Sequence, residues 1–396
     1  MRISIKKILD NESTAGIFLL AAAVFALIFS NVGFLHDIYR HFLELPIVIG
    51  VSDYKLDKPL EFWVNDALMA IFFFSIGLEL KRERIEGQLR HFSQVFLPSF
   101  AAIGGVIFPA VIFAVINFSD SHALRGWAIP TATDIAFAVG VMALLGRRIP
   151  TSLKIFVLTL AIMDDLCAIV IIALFYSTAL NFTYLGLAFV CFLVLLVMCK
   201  LKIPQKIPFV IMSILLWIFV LHSGIHATIA GVAAGFCIPI NTSRGNSMLK
   251  EMESSLGYFV NYVVLPLFAF ANAGVDMRGM QISYLFGPVP LGVMLGLFLG
   301  KQLGIFTFSW FLIKMNIVGM PDRANFKQLY AVAIICGIGF TMALFVDNLS
   351  YGGSDLYHHT DKLAILLGSI ISGVVGYFVA KAVGNKPKKG IKNEYN

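Results

Sequence analysis

The stretch LTLAIMDDLCAIVIIALFY, Leu158 to Tyr176, sets two adjacent carboxylates, Asp164 and Asp165, in the middle of an otherwise apolar run. As a helix, at about 1.5 Å per residue, such a run is long enough to cross about 30 Å of hydrocarbon. The rest of the chain repeats the pattern. Of its 396 residues 59% are hydrophobic and 13% charged, against about a quarter charged in a soluble domain. Apolar blocks of roughly 17 to 25 residues follow one another, and the ten-residue alternating strands of a membrane barrel are not seen. The pattern predicts an all-α polytopic membrane protein of about twelve transmembrane helices.

The expected segments are 14–30, 62–80, 95–116, 126–145, 152–176, 182–199, 207–221, 223–239, 256–273, 291–313, 328–347 and 362–383. The first follows Lys6 and Lys7 but has no A-x-A cleavage pattern after it, so it reads as a membrane helix and not as a secretory signal. Basic residues collect in cytoplasmic loops. Twenty-three of them fall on the side of the N-terminus and 6 on the other, which predicts both termini in the cytoplasm. The net charge of +7 is then this bias plus a basic tail over 384–396 that can touch anionic lipid, and no nucleic-acid role is needed. Residues 45–58 alternate β-branched residues around Gly50 and read as a short external hairpin. The five cysteines lie in or beside apolar blocks without C-x-x-C spacing and read as buried free thiols.

The ionisable groups left near the bilayer centre are Asp134, Asp164, Asp165 and Lys301. Each costs roughly 2.5 to 3.5 kcal/mol at a helix centre, so such groups persist where they pair or line a wet cavity. One ion pair uses two of the four and leaves a surplus of negative charge. Adjacent helical positions point about 100° apart, so one aspartate can line a cavity while the other turns toward Lys301. A bound sodium ion favours charged carboxylates as a neighbouring cation does, and protons and metal then compete for the same oxygens.

Two segments carry breaks. Segment 126–145 has Pro130 among its threonines, and segment 328–347 has Gly337 and Gly339 just before Thr341. In the expected topology the two run antiparallel. Interrupted helices in corresponding places of oppositely oriented halves point to a transporter's binding site. They leave half-helix ends in mid-membrane, which Asp134 and Lys301 can neutralise.

The motifs NDALMAIFFFSIGLELKRE, GWAIPTATDIAFAVGVMALLG, LKIFVLTLAIMDDLCAIVIIALFY, SGIHATIAG, LPLFAFANAGV, GKQLGI and CGIGFTMALF together resemble the NhaA-type sodium/proton antiporters of bacterial inner membranes, over nearly the whole chain. The resemblance implies one transporter domain over 1–396 with twelve helices. Its inverted repeats would cover about 95–176 and 291–383, around two crossed, interrupted helices. It implies that Asp164 and Asp165 bind sodium, lithium or protons, that Asp134 and Lys301 compensate charge, that Lys301 pairs with Asp164, and that Thr133 offers a neutral oxygen. It implies electrogenic exchange of Na+ or Li+ for a larger number of H+, with no cofactor and no enzymatic reaction. Glu79, Arg82, Glu83, Glu253 and His226 match positions linked in the family to pH response. The chain departs from the pattern at Ser254 and Gly257, where family members carry histidines after the loop glutamate. The hairpin resembles the family's dimer contact, which implies a homodimer. Three other readings compete. A sodium-coupled symporter of an organic solute needs a roomier polar or aromatic pocket. An intramembrane aspartyl protease needs its two carboxyls on separate helices. A passive channel needs rings of carbonyls or acids along one path.

Overall fold

The structure, a computed structural model, describes residues 12–51, 54–90, 92–177, 179–352, 357 and 359–384. Lys6, Lys7 and nearly all of the expected basic tail, from residue 385 on, lie outside the described residues. Helix α1 is Glu12–Asn31 and α2 is Gly33–Leu43, followed by strands β1, Pro46–Val51, and β2, Tyr54–Pro59. The strands pair antiparallel, with Pro46 opposite Pro59 and Gly50 opposite Lys55. Then come α3, Leu60–Ile85, and α4, Phe92–Ile116. A tight 3-10 helix, Ala123–Thr131, leads to α5, Ile135–Leu145. Next are α6, Thr151–Phe175, α7, Phe182–Lys200, α8, Lys206–Ser223, and α9, Thr228–Phe236. The chain ends with α10, Met248–Asn272, α11, Pro288–Lys314, α12, Phe326–Ile335, α13, Phe340–Tyr351, and α14, Thr360–Val383.

Among the described residues ten spans are long and apolar enough to cross a membrane, one of them running from the 3-10 helix through α5, and the pair α12 and α13, bent by 49° at its break, makes up to eleven. The eighth expected segment, 223–239, forms only the nine-residue α9. Gly224, at φ 86°, ends α8 in the left-handed conformation, so residues 224–227 are a break and not helix. The apolar run could not show this, because a left-handed glycine leaves hydropathy unchanged. Short α9 is held by close backbone contact with α3. A Cβ on Gly231 would lie 2.1 Å from the Ala70 oxygen, and one on Gly235 would lie 2.6 Å from the Phe74 oxygen. This is the small-residue spacing that lets membrane helices approach.

The outward surface is rich in large apolar side chains, among them Ile17, Phe25, Val115, Val190, Ile214 and Phe378. An apolar belt of this extent suits lipid, not water. Three cysteines, Cys191, Cys237 and Cys336, are buried, whereas Cys167 and Cys199 are only half-buried, on helix faces turned partly outward; all five are free thiols.

The two broken segments meet. The 3-10 helix contains Pro130 and stops at Thr131, and residues 132–134 are non-helical. Helix α5 restarts with Asp134 as its cap, Phe137 N donating to Asp134 Oδ1 at 3.0 Å. On the other segment α12 opens with a capping box between Asn325 and Gln328 and stops at Ile335. A Cβ on Gly339 would lie 2.7 Å from Leu297 Cδ2 and 3.1 Å from the Ala132 oxygen, so the glycine eases the close approach of the two breaks and α11. The freed backbone groups find partners. Asp134 N donates to the Ile338 oxygen at 2.7 Å, and Gly339 N and Phe340 N donate to Ser369 Oγ on α14 at 3.2 and 3.0 Å. Irregular backbone at membrane depth is tolerated where it is satisfied in this way.

Candidate functional site

Helix α6 carries Asp164 and Asp165, each 2% exposed. Their roughly 100° offset separates them as geometry demands. Asp164 turns to α11, where Lys301 Nζ donates to Asp164 Oδ2 at 2.7 Å with both side chains buried. Its second oxygen, Oδ1, is buried without a hydrogen-bond partner, and Thr133 lies beside this carboxyl. Thr133 Oγ1 donates to the Cys336 oxygen at 2.9 Å, so the threonine bridges the two breaks.

Asp165 turns the other way, into a cavity of about 600 Å3. Asp134 and Thr341 line the deep end with it, and Glu79, Lys250, Glu253 and Ser254 line the way out. Among the described residues no side-chain hydrogen bond or ion pair engages the Asp165 carboxylate. Asp134, by contrast, is well held: its Oδ2 accepts from Thr341 N at 3.1 Å and from Thr341 Oγ1 in a short bond.

At the mouth, Arg82 Nε donates to both Glu253 oxygens at 2.8 Å, and Arg82 pairs with Glu83 at 2.7 Å. Lys250 pairs with Glu86 at 2.6 Å. The structure therefore brings Glu79, Arg82, Glu83 and Glu253 together, with Ser254 and Gly257 on the same wall. It does not bring His226 to them. That residue lies in the 224–227 break and not in a helix, where its carbonyl accepts from Ile229 N at 3.1 Å.

Two site features escaped the sequence reading. Thr341 follows directly on the Gly337–Gly339 break, which was the available signal for its contact with Asp134. The set of buried charges also grows, because Asp347 and Asp361 are 2% and 3% exposed. The expected segment stopped at Asp347, but α13 continues to Tyr351 and leaves that carboxylate a turn inside the helix.

The arrangement provides two carboxylates and a neutral oxygen at the head of a wet-sized cavity, with a fixed cation at hand. Among the described residues no group of three or more His, Cys, Asp or Glu is placed to hold a metal permanently. Few hard oxygen ligands bind a cation loosely enough to release it, as permeation requires. Fold and site together define a polytopic helical membrane transporter.

The chain belongs to the family described as Na+/H+ antiporter 1, whose family model matches residues 6–380. It is 50% identical, over 98% of its length and 95% of the other protein, to "Na(+)/H(+) antiporter NhaA" of Campylobacter concisus (strain 13826). It is 51% identical to the protein of the same name from Sulfurovum sp. (strain NBC37-1), over 97% of this chain and 98% of that one. A third relative of that name, from Aeromonas hydrophila subsp. hydrophila, is 48% identical over 95% of each chain.

Proposed function

We propose that the protein is a secondary active transporter that exchanges Na+, and Li+, for H+ across a bacterial inner membrane. Asp165 carries the reading: a buried carboxylate in an apolar helix that faces a cavity, with no side-chain hydrogen bond or ion pair among the described residues, is a group left available to a mobile ion. In this proposal Asp164 and Asp165 share the metal ion with Thr133, and Asp134 and Lys301 balance charge. Sodium and the Lys301 ammonium rival each other for Asp164, while sodium and protons rival each other for Asp165. Protons from two sites against one monovalent ion make the exchange electrogenic, so membrane voltage helps expel sodium at about 2.3 kcal/mol per charge per 100 mV.

The cavity mouth is on the cytoplasmic side in this proposal, as are both termini. Asp165 and Asp134 are thus loaded from within the cell, and the Arg82, Glu83, Glu253 and Glu79 cluster adjusts entry with pH. Residues 95–176 and 291–383 are read as inverted repeats. A contact supports this: a Cβ on Gly104 of α4 would lie 2.4 Å from the Gly304 oxygen of α11, and one on Gly304 would lie 2.0 Å from the Gly104 oxygen. Such a reciprocal approach is what a twofold relation between the first helices of two repeats would produce. The hairpin is assigned to the outer face as the contact of a homodimer.

The test is antiport in everted membrane vesicles that hold a respiratory pH gradient. Sodium and lithium collapse the gradient while potassium and choline do not, and Asp165→Asn abolishes the collapse. Normal exchange by that variant would remove the basis of the proposal.

A further inference from the structure

We propose that Asn65, Asn272 and Asn348 form a latch that closes the molecule on the side of the ion site opposite the cavity, and that this latch parts when the ion leaves there. The inference rests on the antiport reading. Asn348 lies on α13 seven residues beyond Thr341, about 10 Å along the same helix. Its Nδ2 donates to Asn272 Oδ1 at 2.5 Å, at the end of α10. Asn272 Nδ2 donates in turn to Asn65 Oδ1 at 2.7 Å, in α3, and to the Phe268 oxygen at 2.9 Å. Asn272, 1% exposed, thus uses both donors and its acceptor.

Between this chain of amides and the site stands a ring cluster. Phe345, one turn beyond Thr341, packs on Phe73 of α3 with ring centroids 5.4 Å apart and on Phe268 of α10 at 6.3 Å. Thr341, which holds Asp134, and Asn348 share one uninterrupted helix. A movement that carries the ion site past α3 and α10 therefore pulls Asn348 off Asn272. Neutral amide bonds suit a part that must open. Each contributes modestly, because water replaces the partner when the groups separate. An arginine–carboxylate pair in the same place would hold far more firmly. In Asn348→Ala the buried Asn272 Oδ1 loses its partner only in the closed form and is hydrated in the open one, so the equilibrium moves toward open.

The measurement is the sodium concentration for half-maximal exchange, taken from each side of the membrane in right-side-out and everted vesicles. Loss of one net neutral hydrogen bond raises a minor open form about five-fold. Apparent affinity follows the competent fraction. In Asn348→Ala, and in Asn65→Ala at the other end of the chain, half-saturation on the sealed side falls about five-fold and changes less than two-fold on the cavity side. Asn348→Ser, which keeps a short donor, lies between. Equal changes on both sides in both alanine variants would mean general loosening and would overturn the latch. A second readout needs no transport: an impermeant thiol reagent added on the sealed side labels Val64→Cys about five-fold faster when Asn348→Ala is present, read at that residue by peptide mass. If the unsubstituted protein exchanges no sodium the antiport reading fails by itself, and unchanged labelling fails the latch by itself.

Discussion

Two clusters of opposite charges flank the cavity, one beside its deep end and one at its mouth, and they sit under opposite conditions. Beside the deep end the Lys301 and Asp164 side chains are 0% and 1% exposed. At the mouth Arg82 and Glu253 are 31% and 20% exposed. Removing ions from water costs several kcal/mol each, so the deep pair endures only because each ion has the other. At the mouth water does much of that work and the pair contributes little. The deep cluster is therefore the place where adding or withdrawing a cation changes the energy of the whole molecule, whereas water compensates much of the same change at the mouth.

Breaking the deep pair is expected to have the largest effect. Lys301→Ala leaves Asp164 buried without its cation and should cost about 3–5 kcal/mol, measured as a lowered unfolding midpoint in detergent. The double variant Asp164→Asn, Lys301→Met should recover most of that stability without recovering exchange. An intermediate effect is expected from the helix contact that sets the deep end in place: Gly304→Val puts a side chain where a Cβ already lies 2.0 Å from the Gly104 oxygen, costing about 1–3 kcal/mol through overpacking. The same unfolding assay reads it.

Competition at Asp165 sharpens the contrast further. With one proton and one sodium ion exclusive on the same oxygens, the sodium concentration for half-maximal exchange should rise about ten-fold per pH unit of acidification below the site's own proton affinity. Exchange rates at fixed gradient across pH 6 to 9 measure this. A flat profile would separate the proton and sodium sites. The smallest effect is expected at the mouth. Arg82→Gln, on a side chain 31% exposed, should change stability by at most about 1 kcal/mol after solvent screening. It should move the pH of half-maximal exchange by less than about one unit, and the shift should shrink in about 1 M salt, where the Debye length falls to about 3 Å.

The deep cluster was far more legible in the sequence than the mouth. Asp134, Asp164, Asp165 and Lys301 stand out because hydrocarbon excludes charge, so each exception in an apolar run is informative. The 100° offset told only that the two aspartates must face different ways, the resemblance named Asp164 as the partner of Lys301, and the structure shows that pair with Asp165 on the cavity. Pro130 and Gly337 marked the two breaks, which the structure joins through Thr133 and Cys336. The mouth residues came only through family resemblance, since charges at helix ends are common and carry no pattern of their own. His226 was misplaced in a helix because Gly224 ends α8 without any change in hydropathy. Asp347 was missed because a charge at the edge of an apolar run reads as the run's end.

The sequence by itself determined that the chain lives in a membrane, which helices are broken, and which four charges interrupt apolar runs. These follow from local composition, because the bilayer judges every segment separately. Only the tertiary structure decided that Asp164 is paired with Lys301 while Asp165 faces a cavity, that Thr341 supports Asp134, and that three asparagines from distant segments form one chain. Polar groups on separate helices acquire partners only when the helices pack, and no spacing along the chain encodes which will meet.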